Sequence, residues 1–216
     1  MRKMIFISIM PNESTDILIR SPETFSASQT ARDRLLAAGA EMIAARGLGD
    51  VNTNTIAREA GVGIGTFYGC FEDKAALYRE LMALGLALLQ EALAEASRKA
   101  RSESLQRQVR ATVAAFVDFA RHQPALYRVI FAGTEAGPQG GRASVGFSPR
   151  AMENRLRALQ QAGELDPAVD VALAARIFNA GQGQILLWWL DAPDPPSRAD
   201  LIETLARLHP ATACRR

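Results

Sequence analysis

The residues that most restrict what this chain can become run from Ile56 to Phe71: Ile-Ala-Arg-Glu-Ala-Gly-Val-Gly-Ile-Gly-Thr-Phe-Tyr-Gly-Cys-Phe. They read as two short helices with a tight turn between them. Ile56, Ala57 and Ala60 give the first helix an inner face, with Ala57 small enough for a steep helix crossing. Gly61 stands where a helix ends on a left-handed residue, a conformation glycine adopts without steric cost. Val62 plugs the corner, and Phe67 and Phe71, four apart, share one face of the second helix.

Two short helices in this arrangement are a helix-turn-helix, whose second helix enters the DNA major groove, or a helical hairpin within a globular core. The flanks decide between these. Before the motif, Ser28 to Arg46 predicts a helix with Leu35, Leu36, Ala40, Met42 and Ile43 inward and Gly47 as its stop. Asn52 is a good N-cap for the next helix. Asp73 caps a longer one, expected from Lys74 to about Arg98, with Leu77, Leu81, Leu84 and Leu88 at coiled-coil-like spacing.

With these blocks in place the run from Thr30 to Leu81 resembles the DNA-binding domain of TetR-type transcriptional regulators. The matching residues are Ala37, Ala38, Met42, Ile43, Ala44 and Gly47; then Ile56, Ala57, Ala60, Gly61 and Val62; then Gly65, Thr66, Phe67, Tyr68, Phe71, Lys74 and Leu77. The resemblance covers about a quarter of the chain. It implies a DNA face of Asn52, Thr53, Gly63, Ile64, Gly65, Thr66, Tyr68 and Lys74, with Asn52 and Thr53 at the phosphate-facing start of a helix and Lys74 at the edge of the groove. Arg20 in the N-terminal arm, with Arg32 and Arg34, is a further candidate for phosphate contact, against the reading of the arm as a tail that touches nothing. The recognition helix departs from the family in carrying no charge from Val62 to Phe71, so no arginine serves guanine there. Base contact would rest on Thr66 and on Ile64 against thymine methyls, with Tyr68 on a phosphate.

The other segments read as helices at about 105–122, 125–132, 149–162, 166–190 and 198–208, with no strand-period segment and no internal repeat. The fold class is therefore all-α, about nine helices: an N-terminal three-helix DNA-binding domain joined by a long helix to a C-terminal ligand-binding and dimerisation bundle. The expected divisions are a flexible arm (1–27), the DNA-binding domain (28–75), the helical body (76–208) and a tail (209–216). Residues 133–148 form a Gly-rich loop that lacks the Gly-Lys-Ser/Thr ending of a phosphate loop.

Composition narrows the partners. Hydrophobic residues make up 48% of the 216 and charged residues 22%, enough for a real core. The net charge is only +2, and Gln29–Glu80 holds six basic and seven acidic residues, so a DNA face requires segregated charge. Between Arg98 and Arg128 there are seven basic and two acidic residues, the pattern of a solvated helix face. Cys70 and Cys214, far apart, make no disulfide framework and fit a reducing cytoplasm; Cys70 reads as a packed thiol. No stretch reaches the roughly 18 apolar residues of a membrane span, and no cofactor or metal is expected.

The resemblance implies a cytoplasmic homodimeric regulator, most often a repressor in the family, on an inverted-repeat double-stranded operator and released by a small molecule. Pocket candidates are Phe116, Phe119, Tyr127, Phe131, Phe178 and Trp188, with Trp189 beside them, and their polar sparsity suggests an apolar or aromatic ligand. Dimer-interface candidates on the last two long helices are Val171, Ala174, Phe178, Gly181, Ile185, Leu201 and Leu205. A helical enzyme is the alternative from another class. With only His122 and His209, no Glu-x-x-His pair and no nucleophile elbow, the chain carries no catalytic set for it. A nucleoid-like DNA binder without an inducer is the third reading.

Overall fold

The computed structural model describes residues 30–132 and 150–213. The expected arm, the Gly-rich loop and Cys214 lie outside the described residues. Ten helices follow in order: α1 (Ala31–Arg46), α2 (Thr53–Glu59), α3 (Ile64–Cys70), α4 (Lys74–Lys99), α5 (Leu105–His122), α6 (Pro124–Phe131), α7 (Arg150–Gln161), α8 (Val171–Asp191), α9 (Arg198–Leu208) and α10 (Pro210–Ala213). There is no strand among the described residues.

Local chemistry sets most of the ends. Thr30 and Asp33 form a reciprocal capping box that starts α1, later than the expected Ser28. Asp73 accepts from the Ala76 amide at the start of α4. The second helix closes in a Schellman motif: Gly61 at φ +64° donates to Arg58 O, and Val62 donates to Ala57 O. The same motif ends α7 at Gly163, φ +73°. Helix α8 starts later than expected. Asp166 accepts from the Ala168 amide within a turn, Pro167 stays outside the helix, and Asp170 caps it by accepting from Ala172 N and Leu173 N at 3.0 Å.

One core runs through the chain. In α1–α3 it is built on Leu35, Ile56 and Phe67, all at 0% exposure. Fully burying one such side chain is worth about 1.5–3 kcal/mol. Along α4 the inward row is Leu77, Leu81, Gly85 and Leu89. Leu84 and Leu88 are only half-buried, so the buried row steps by four residues and winds around α4 as an i, i+4 ridge rather than keeping to a heptad seam. Helix α6 sits between the parts, touching α1, α4, α5 and α8. Glycines permit that closeness: a Cβ on Gly85 would lie 2.9 Å from Ile130 Cδ1, and one on Gly183 2.9 Å from Phe131 Cδ1. The buried Tyr127 hydroxyl donates to Gly183 O at 2.9 Å, and burial pushes its pKa up.

Candidate nucleic-acid interface and the cavity in the helical body

Helices α2 and α3 share one outer surface. Asn52 starts α2, its Oδ1 accepting from Thr55 N at 2.9 Å and Thr55 Oγ1 at 2.8 Å. Thr53 Oγ1 and the Tyr68 hydroxyl lie 3.3 Å apart across the motif, placing two hydroxyls side by side. Tyr68 is 57% exposed and Ile64 39%. Gly63, Gly65, Thr66 and Gly69 are exposed as well, while Phe67 is the fully buried anchor of the helix. An α-helix is about 10–12 Å across with its side chains, and the small residues on the outer face of α3 suit a major groove about 12 Å wide. Gly63 gives α3 no side-chain cap, so the amides of Ile64 and Gly65 have no intrahelical partner at the exposed end.

Two basic residues expected at DNA are committed elsewhere. Lys74 Nζ donates to Leu48 O and Val51 O at 2.5 Å and to Gly49 O at 3.4 Å, which ties the α1–α2 loop to the start of α4. Arg32 pairs with Glu80, donates to Cys70 O at 2.8 Å, and lies over the Phe71 ring at 4.5 Å. It thereby links α1, the end of α3 and α4. Nothing in the sequence announces these contacts, whose partners stand 23 to 48 residues away. Phe71 is buried but lies beyond α3 in extended backbone. Cys70 closes α3 half-buried against the core, at the negative rather than the positive end of the helix dipole.

Among the described residues, six of the seven basic residues in the run from Arg98 to Arg128 lie beside carboxylates, Arg110 near Glu203 among them and Arg101 the exception. Arg98 and Lys99 pair with Glu95, Arg107 with Glu103, Arg121 with Asp118 and Arg128 with Asp191. It is a solvated, charge-balanced face.

A cavity of about 380 Å³ lies between α4, α5, α7 and α8. Its apolar walls include Leu93, Phe116, Met152, Leu156 and Phe178. Of the six aromatic pocket candidates, Phe116 and Phe178 line it and the other four do not. Phe119, Tyr127 and Phe131 pack as an aromatic cluster with Phe116 at its edge. Trp188 is 53% exposed on the outer side of α8. Its neighbour Trp189 is the buried one, donating Nε1–H to Pro196 O at 2.8 Å.

Sequence reasoning missed the polar wall: Arg155, Asn179, Gln182 and His209. His209 is buried with its Nδ1 accepting from Ala211 N at 3.1 Å, so the ring proton is on Nε2. Burial, then the nearby Arg155 charge, lower its pKa to about 4. Arg155 donates to Gln108 Oε1 at 2.7 Å. Asn179 Oδ1 is buried without a hydrogen-bond partner. Asn179 directly follows Phe178, and Gln182 stands four residues beyond it on the same stripe, a polar interruption the sequence did display.

The proposed dimer stripe divides. Val171, Phe178, Leu201 and Leu205 are buried within the chain, because α8 and α9 turn those side chains into their own core. Ala174 is half-buried, and Gly181 and Ile185 are exposed. The outward apolar row of α8 is instead Leu173, Ile177, Ile185 and Trp188.

No helix among the described residues is long and apolar enough to cross a membrane, and no group of three His, Cys, Asp or Glu there is placed to hold a metal ion. Residues 35–81 match the family model described as bacterial regulatory proteins, tetR family. No curated protein matches the chain. Among solved structures, the fatty acid degradation regulator FadR of Bacillus halodurans has a TM-score of 0.68 at 15% identity, covering 88% of this chain and all of that one. A tetR-family regulatory protein from Rhodococcus has a TM-score of 0.66 at 21% identity over 84% of this chain and 98% of its own. The transcriptional regulator FadR of Bacillus subtilis, solved with stearoyl-CoA, has a TM-score of 0.65 at 17% identity over 83% and 97%. Residues 35–81 thus belong to the tetR family of bacterial regulatory proteins, and the helices behind them carry the fold of that family's solved members.

Proposed function

We propose that this protein is a ligand-responsive transcriptional repressor, not an enzyme, that binds an inverted-repeat operator as a homodimer. The observation that carries the reading is the outer face of α2 and α3, where Ile64, Thr66 and Tyr68 are exposed, Thr53 is half-exposed beside Tyr68, and Phe67 anchors from behind. Thr66 and Ile64 meet base edges, Ile64 suiting a thymine methyl. The paired hydroxyls of Thr53 and Tyr68, with the partnerless amides of Ile64 and Gly65, suit phosphate oxygens.

Two copies place two recognition helices in successive major grooves, about 34–36 Å apart. The outward row of Leu173, Ile177, Ile185 and Trp188, with Leu208 of α9, supports pairing through α8 and α9. The cavity supports an effector site, since α4 contributes to its wall through Gln90 and Leu93 and also holds the DNA-facing end through Lys74 and Glu80. A ligand that displaces α4 moves Glu80, and through Arg32 the end of α3. Such a ligand releases the operator only by binding the DNA-free arrangement more tightly, and the operator weakens ligand binding by the same factor.

The test is selection of bound duplexes from a random pool at controlled salt. An enriched inverted repeat with half-site centres one helical turn apart supports the reading. Enrichment of nothing over background contradicts it.

A further inference from the structure

The cavity's polar wall restricts what the effector can be, and the inference drawn from it rests on the reading of the helical body as an effector site. Its apolar lining suits a compact hydrophobic body. An apolar cavity of about 150 Å³ takes a benzene ring, so one of about 380 Å³ suits a ligand of roughly a dozen non-hydrogen atoms. Three polar groups at that body have unequal needs. Arg155 is a guanidinium bonded to a neutral amide, and among the described residues no carboxylate pairs with it. His209 offers an Nε2–H because its Nδ1 is taken by Ala211 N. Asn179 offers an acceptor, Oδ1, that is buried and has no donor. A buried acceptor left unmatched is costly, and a half-buried guanidinium with no carboxylate beside it is open to an anion, so one ligand can complete both.

We propose that the effector is a compact organic acid: an apolar body, one carboxylate for Arg155 and His209 Nε2–H, and one hydroxyl or amino donor for Asn179 Oδ1. Guanidinium suits a carboxylate because its planar fork gives two parallel N–H bonds, and charge-assisted bonds are about twice as strong as neutral ones. Phe116, Met152, Leu156 and Phe178 exclude water from the body of the ligand and leave its polar end to the wall.

The experiment uses the full-length protein and a panel of aromatic and branched aliphatic carboxylic acids of about a dozen non-hydrogen atoms, with and without a hydroxyl. Phenylacetate and 4-hydroxyphenylacetate head the panel, and each acid is paired with its primary amide. Binding is read by thermal shift and then calorimetry. The expected result is at least one acid bound tenfold or more tighter than its amide. Arg155→Met should abolish that preference, and Arg155→Lys should restore part of it. Asn179→Leu should erase the advantage of the hydroxylated acid over the plain one while the acid-over-amide preference stays. Amides binding as tightly as acids, or a preference unchanged by Arg155→Met, would overturn the organic-acid assignment and leave the effector site standing. Failure of every acid and amide, and also of a neutral apolar library, would overturn both.

Discussion

Lowering the pH should destabilise this protein through His209. In the folded chain the ring lies among Phe178 and the cavity wall, with Nδ1 accepting a backbone proton, and its pKa falls from 6.5 to about 4. Between those values the unfolded chain binds the proton and the folded chain does not. Stability contributed by the neutral ring is therefore complete above pH 6.5 and is lost as the pH falls toward 4. A difference of 2.5 pKa units corresponds to a total of about 3 kcal/mol. At pH 5 about 2 kcal/mol of it is already gone, equivalent to roughly 4–8 °C in melting temperature for a chain of this size. Urea unfolding at pH 7.5, 6, 5 and 4.5 measures the slope. The comparison is His209→Asn, which keeps a side-chain acceptor for the Ala211 amide but does not titrate. It should be less stable at pH 7.5 and lose less on acidification, so the gap between the two proteins narrows. Acid titration of carboxylates such as Asp118, whose pKa is lowered by its Arg198 hydrogen bonds, cancels in that comparison. Parallel curves for the two proteins between pH 6.5 and 4.5 would refute the assignment of a neutral buried imidazole.

Other perturbations test separate parts of the structure. Gly61→Ala forces a side chain into φ +64° at the turn of the motif and should cost about 1–2 kcal/mol in denaturant unfolding, since the left-handed region is that unfavourable to L-residues. Lys74→Met removes the donors to the carbonyls of Leu48, Gly49 and Val51 and should lower stability by about 1–3 kcal/mol, while the salt dependence of DNA binding stays unchanged. A salt slope reduced by about one unit would instead return Lys74 to a phosphate. Ile177→Glu, at a position 64% exposed, should leave folding intact and shift the protein toward monomer in analytical ultracentrifugation.

What the sequence made legible was local. Asn52 and Asp73 start helices because each accepts from an amide three residues on, an interaction within reach of pattern reading. Gly61 marked the turn because a left-handed φ is a local demand that glycine meets, and α5 and α9 have the expected bounds because each is a strongly amphipathic helix between clear breakers. The start of α8 was misjudged because Asp166-Pro167 and Asp170 both carry start signals, and only packing of Leu165 and Val171 into the core selects the second. On α8, the choice between inward and outward apolar residues was hidden as well. Leu173, Ile177 and Trp188 are as hydrophobic as their buried neighbours, so periodicity shows the helix without showing which face the rest of the chain covers. Arg32, Lys74 and the polar wall of the cavity are fixed by tertiary contacts, and they decide which cations remain for DNA and what a ligand meets.

The measurement that tests the DNA-facing role of α3 most directly is the affinity of Thr66→Glu for the selected duplex, with unfolding followed in parallel. Thr66 is exposed, so a carboxylate there leaves folding and thermal stability nearly unchanged, yet it would stand against base edges and phosphates. The expected result is loss of more than a hundredfold in specific affinity at fixed salt, with the melting temperature held. Undiminished binding by a folded Thr66→Glu protein would contradict the placement of α3 in the groove.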